Sequence, residues 1–384
     1  MRHVTDDERR ARLAARHALA PASRVATPED AVAAMTVLHA TEAATVYLSC
    51  HARVADLEVG DLDRALYDDR TVVKQLAMRR TLFVFPRGLL PAVWPSASAR
   101  VATQERARMS KEVVKAGVAR DGEGWLDRAC AEVLVVLADE PAGRTARDVR
   151  AAAPTVAAVP SGMTFTASNV LVYLGLTGEI MRGANTARWY TSRPRWTLTR
   201  HWLTDVPEPW SAADGYRELV RRWLYTFGPG TEDDLVWWLG ATKSVVRAAL
   251  AALGAVQVSL DGGATGWLLP DDLVEVPEPG TWAALLPVLD PTVMGWRGRD
   301  FYLGPHREPL FDLRGNAGTT AWADGRVVGC WVQDAAGVVE VRLLERVGAR
   351  TRRALDDEAA RLTKWLGGLR VGSVYSSAAM KGPS

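Results

Sequence analysis

The stretch MRGANTARWYTSRPRWTLTR (181–200) concentrates side chains that suit contact with a polyanion. It holds Arg182, Arg188, Arg193, Arg195 and Arg200, no acid, and Trp189, Tyr190 and Trp196 between them. A guanidinium donates in a planar fork that matches phosphate, and interleaved rings can stack on bases or pack inward. Two readings stay open: a hairpin that touches nucleic acid, or a solvated wing with its tryptophans in the core. Arg79-Arg80 makes a second, smaller basic tip between two β-rich runs. Other chemistries are poorly served. Cys50, Cys130 and Cys330 are far apart and odd in number, and no CxxC or HExxH spacing exists. Neither a disulfide framework nor a zinc site is supported, and no metal or cofactor is expected. His17 and His51 read as structural residues, and a lone histidine such as His39 is ordinarily a partly exposed surface group.

The 384 residues exceed one domain of about 150 and fit two or three. With 48% apolar and 24% charged residues, wholesale disorder is excluded. No run approaches the roughly 18 apolar residues of a membrane span, and mean hydropathy is -0.06. The charged N-terminus lacks the apolar core of a secretory signal, so a cytoplasmic, nucleoid-associated location without membrane contact is expected. Net charge is only +2, so any nucleic-acid surface must be a local patch. Arginine supplies 41 of the basic residues and lysine six, a bias that genomic base composition would also produce. Fifteen tryptophans fit several separate small cores.

The elements that must position these residues follow a recurring order: helices, a helical turn, then a hairpin. Apolar spacing predicts helices over 28–41, 46–54 and 60–69, then a hairpin of 71–78 with 81–85. A second set comprises 125–143, a short helix over 145–152 capped by Thr145 with Asp148, a helix over 165–178 and the basic hairpin. Residues 86–124 read as helical packing. The third set is the clearest: 214–231 ended by Gly-Pro-Gly, 231–240 with Thr231 as N-cap, 242–254, and a hairpin over 255–269. Helix–turn–helix followed by a hairpin is the winged-helix pattern. The fold expected is α+β, with three tandem winged-helix domains (1–120, 121–205 and 206–384) around a concave channel. The last domain carries a C-terminal β-rich extension, including an Asp324-Gly325 hairpin turn, and a terminal helix. The tail 371–384 reads as flexible. The span 205–300 has seven basic residues against 14 acidic ones, so the third domain reads as scaffold.

Several blocks carry a family resemblance. AMTVLHATEAATVYLSCHARV (34–54), DLDRALYDDRTVVKQLAMRRTLFVFP (61–86), FGPGTEDDLVWWLG (227–240) and residues 285–331 resemble the AlkZ/YcaQ family of bacterial DNA glycosylases. The resemblance implies tandem winged helices around a DNA channel and excision of N7-alkylated purines. In some members that activity protects producers of DNA-alkylating antibiotics. The implied partner is double-stranded DNA carrying alkylated purines, bound by a monomer. The family motif, Gln-x-Gln or Gln-x-Asp after a Leu, falls here on Leu38-His39-Ala40-Thr41, with both polar identities changed. In an RGTLH-like block, Arg80 replaces the Gly and Phe83 the His.

The changed motif can still serve the implied reaction. A purine alkylated at N7 is cationic and leaves without strong acid catalysis, so the enzyme must place one water and stabilise a sugar cation. His39 can accept the water's proton or orient it, and Thr41 can supply a second hydrogen bond. No lysine adjoins the motif, which argues against a Schiff-base lyase, and Glu42 is the nearest carboxylate. The expected DNA contacts are Arg79, Arg80, Arg188, Arg193 and Arg195. His306 and Asp290 lie in family-like segments but read as a structural hydrogen bond and a turn former. A non-catalytic winged-helix DNA-binding protein, a regulator or adduct-sequestering protein, is the alternative, favoured by the loss of both glutamines.

Overall fold

A computed structural model describes residues 1–159, 167–277 and 279–382. The chain opens with strand β1 (His3–Val4) and helix α1 (Asp6–Arg16), whose first turn holds Asp6, Asp7 and Glu8 behind a Thr5 cap. Helix α2 (Pro28–Ala34), strand β2 (Leu38–His39) and helix α3 (Ala43–Arg53) follow. A hairpin pairs β3 (Val72–Ala77) with β4 (Thr81–Pro86) around the Arg79-Arg80 tip. Residues 86–124 are largely helical, with Ala99–Lys115 the longest piece. Helix Gly122–Ala138, the short helix Ala146–Ala152 and helix Ala167–Leu176 precede the antiparallel pair β5 (Ile180–Asn185) and β6 (Pro194–Leu198). Thr145 and Asp148 form the reciprocal cap that their spacing predicts. The expected helix start at 165–166 lies outside the described residues.

Helices Ala212–Phe227, Glu232–Leu239 and Lys243–Ala252 then lead into hairpin β7 (Val256–Leu260) and β8 (Thr265–Leu268). The order here is three helices and then a hairpin. Thr231 and Asp234 cap the middle helix, and Gly240, at φ 61°, ends it in the left-handed conformation open to glycine. The β-rich extension is a four-stranded sheet ordered β12 (Val339–Leu343), β11 (Arg326–Gln333), β10 (Thr320–Ala323), β9 (Ala283–Leu286). Asp324 (φ 49°) and Gly325 (φ 81°) make its β10–β11 turn. The helix Ala349–Leu366 packs on this sheet. The fold is thus α+β. No helix among the described residues is long and apolar enough to cross a membrane.

By its internal packing the chain forms two compact units, residues 1–62 with 219–384, and residues 63–218. The expected boundaries at 120 and 205 both fall inside the second unit. In the first unit, Trp223, Trp238, Trp296 and Trp322 share one aromatic cluster, linked through Phe227 and Tyr302. These tryptophans do not fill separate small cores: helices from both segments of the unit converge on Trp296. The tail is also anchored, contrary to its polar composition. Arg342 donates to the carbonyls of Ala379 and Met380, and residues Ala378–Lys381 form a helical turn.

Candidate active site and nucleic-acid interface

The segment before α3 is not the continuous helix predicted over 28–41. Met35 caps α2, Thr36 takes a φ of 65°, and the chain runs on as strand β2 through Leu38 and His39. Residues 35–40 are all buried, and an apolar run buried on every side carries no periodicity that tells strand from helix. Strand β2 ends at His39, and Thr41 lies in the bend that follows. His39 is 7% exposed, and Thr41 lies beyond it at the surface.

A chain of buried hydrogen bonds fixes the approach to His39. Thr226 Oγ1 donates to the Ala34 carbonyl at 3.0 Å, which leaves its lone pairs to accept from Thr36 Oγ1 at 3.0 Å. The Thr226 carbonyl accepts from His17 Nε2 at 3.1 Å, so the His17 proton sits on Nε2. His17 Nδ1 then accepts from Thr292 Oγ1 at 2.9 Å. Complete burial, and the charge of Arg53, push the His17 imidazole down to about 3. It is a neutral structural link.

Helix α3 is buried along its whole length and tied to one loop through a face of period four. Thr45 Oγ1 donates to the Val288 carbonyl, Ser49 Oγ to Asp290, and Arg53 makes a two-pronged pair with Asp290 at 2.7 and 2.9 Å. Asp290 also caps the turn Pro291–Met294 by accepting from Thr292 N. Burial works to raise its carboxyl, but the charge and hydrogen bonds of Arg53, with Ser49 and Thr292, hold it below the ordinary carboxylate range. A turn former by sequence, Asp290 is also the buried counterion of α3.

Glu42 sits at the N-cap position of α3 but turns its carboxylate elsewhere. Its Oε1 accepts from Ser373 Oγ at 3.0 Å and from Val374 N at 2.8 Å, which ties down the C-terminal tail. Burial raises its pKa and these two bonds oppose the rise. A cavity of about 420 Å³ opens beside it, lined by Thr45, Trp331, Gln333, Arg370 and Lys381 among others. His51 and His306 are structural. His51 is buried against Trp365 and accepts from Arg361, while His306 bonds Glu345 at 2.9 Å.

In the second unit the basic tips separate into different kinds. Arg79 and Arg80 are exposed at φ 54° and 60°, left-handed backbone that glycine adopts without cost. This explains why Arg80 stands out against the Gly of the RGTLH-like block. Arg80 pairs with Glu105 at 3.1 Å. Phe83 is buried and meets Phe85 edge-on with centroids 6.0 Å apart, so it fills core where the block has a histidine.

On the β5–β6 hairpin, Arg188 and Arg193 are exposed, and Arg188 donates to the Tyr190 hydroxyl. Arg195 is half-buried and donates to the Gly143 carbonyl at 2.7 Å. Trp196 lies in the core, while Trp189 and Tyr190 meet edge-on near the surface. The two readings of this stretch therefore divide it: its exposed end presents arginine and aromatic side chains, and its base packs.

The family model for DNA glycosylase AlkZ-like proteins matches residues 32–365. The chain belongs to this family. It is an AlkZ-like DNA glycosylase, and its substrate is DNA. The solved structure of Streptomyces sahachiroi DNA glycosylase AlkZ is similar in fold, with a TM-score of 0.78 at 20% identity over 95% of this chain and 98% of that one. No curated protein matches the chain.

Proposed function

We propose that this AlkZ-like glycosylase is monofunctional and hydrolyses the N-glycosidic bond of N7-alkylated purines, with His39 and Thr41 holding the water. The observation that carries the reading is the nearly buried imidazole of His39, at the end of a backbone segment pinned through Thr36 and Thr226. A general base must be held still and shielded before it can place one water.

In the reaction the water oxygen bonds to the anomeric carbon of the sugar. The bond from that carbon to the purine nitrogen breaks, and its electron pair neutralises the charge that alkylation placed on the ring. His39 takes the water's proton and returns it to solvent. No acid is needed to activate the leaving base. Such an activity removes bulky adducts of alkylating natural products and so serves self-resistance.

Incubating the protein with a duplex that carries one defined N7-guanine adduct, and scoring abasic sites, tests the proposal. Abasic sites at the adduct are expected. Tight binding without abasic sites would favour a DNA-binding or adduct-sequestering protein.

A further inference from the structure

In the second unit, two cations lie together with almost no protein partner. Lys74, on β3, is half-buried and its Nζ donates to the Tyr67 hydroxyl at 2.7 Å. Arg182, on β5, packs its guanidinium over Trp196 at 5.1 Å. Its Nε is buried without a hydrogen-bond partner, and among the described residues no ion pair is made to it. Strand β5 packs directly against β3. Of the other elements on β3, the turn Arg64–Asp68 brings Tyr67 together with the charged Arg64, which pairs with Asp69, and Asp68, with Asp63 just before them. Strand β4, the helix Ala167–Leu176 and residues 94–98 bring no acidic or basic side chain.

A desolvated cation without a counterion costs stability, and two of them side by side cost more. Burial, then the charge of Arg182, push the Lys74 amine down to about 8, with Asp63 opposing weakly. Burial alone pushes Arg182 down to about 10. A purely structural site would pair such groups with carboxylates, as the half-buried Arg106 and Arg108 of the same unit are paired.

We infer that Lys74 and Arg182, with the Tyr67 hydroxyl, form a built notch for one phosphate group of the DNA backbone. The inference rests on DNA being the substrate and is independent of which base is excised. An ammonium and a guanidinium that converge on one phosphate supply charge and several donors, and the bound anion removes their mutual repulsion. The notch lies at the base of the two basic hairpins rather than at their tips, so it would hold the duplex in register while the tips reach along it.

The test measures binding of undamaged duplex by fluorescence anisotropy against pH and salt, for the intact protein and three variants. Bound phosphate holds the Lys74 proton on, so affinity should be highest below pH 8 and fall as pH rises through it. Lys74→Arg should bind as tightly at low pH and lose the pH dependence. Lys74→Met and Arg182→Met should bind roughly tenfold more weakly, each with a salt slope smaller by about one. Because each removes a partly desolvated, unpaired charge, both should also melt no lower than the parent. Inorganic phosphate, at matched ionic strength, should raise the melting temperature of the parent but not of Lys74→Met. Unchanged duplex affinity and slope in Lys74→Met would overturn the inference. So would stabilisation by inorganic phosphate with no effect on duplex binding, which would make the notch a free-anion site.

Discussion

At the scale of single residues, His39 and Thr41 differ in what the structure asks of them. A nearly buried imidazole that places one water is worth roughly 10²–10⁴-fold in rate. His39→Ala should therefore slow single-turnover excision by about that factor, with duplex affinity nearly intact. Thr41, exposed, should matter less. The double variant should lose little more than His39→Ala, because groups that share one water are not additive. Full activity in both single variants would move the site to other residues. Thr226 offers a sharper check, since it touches neither DNA nor water in this reading and acts only by fixing residues 34 and 36. Thr226→Val should lower kcat while leaving KM little changed, and Thr226→Ser, which keeps the hydroxyl, should restore it. A loss confined to thermal stability would show that the bond serves the fold and not the motif. No sequence pattern points to this threonine, because its partners are 190 and 192 residues away.

At the scale of elements, the basic hairpin yields a prediction that the sequence could not resolve. Arg193 is exposed while Arg195 is bound to the Gly143 carbonyl. Arg193→Ala should weaken binding to adducted and plain duplex alike and lower the salt slope by about one, with no change in melting temperature. Arg195→Ala should lower melting temperature as well, because it removes packing and a hydrogen bond together. Equal behaviour of the two in both assays would reject the division of this hairpin. Elements with local signals were legible from the sequence: the Thr145–Asp148 and Thr231–Asp234 caps, the Asp324-Gly325 turn and the β3–β4 pair are set by neighbouring residues. Residues 35–40 were not, since burial on all sides erases periodicity and the strand depends on a single left-handed turn at Thr36. Nor was the anchoring of the tail, which depends on Glu42 and Arg342 reaching it from distant parts of the chain. The role of Asp290 was half legible. Its turn is local, but its pairing with Arg53 is not, and breaking a buried pair on one side costs about 3–5 kcal/mol. Asp290→Asn should show that loss in chemical denaturation.

At the scale of the whole molecule, acid should destabilise one unit more than the other. The unit built from residues 1–62 and 219–384 contains two buried histidines with strongly lowered pKa values. His17 is pushed down to about 3 and His51 to about 2, each chiefly by burial and then by a neighbouring arginine charge. Unfolded, both titrate near 6.5. Between those values the unfolded chain binds two protons that the folded unit refuses. The stability they support is therefore fully present above pH 6.5 and drains away as pH falls, by at most about 1.4 kcal/mol per pH unit for each group. Asp290, held low by Arg53, adds a further loss only as pH falls below the ordinary carboxylate range. Calorimetry from pH 7.5 to 4.5 should show a transition whose midpoint falls steadily. His17→Gln is the decisive variant, because its amide can still donate to the Thr226 carbonyl and accept from Thr292 without titrating. Its midpoint should fall with a shallower pH slope, smaller by about one proton. A slope equal to that of the parent would mean that His17 takes up its proton while folded, and would remove the neutral link through which Thr226 is held in place.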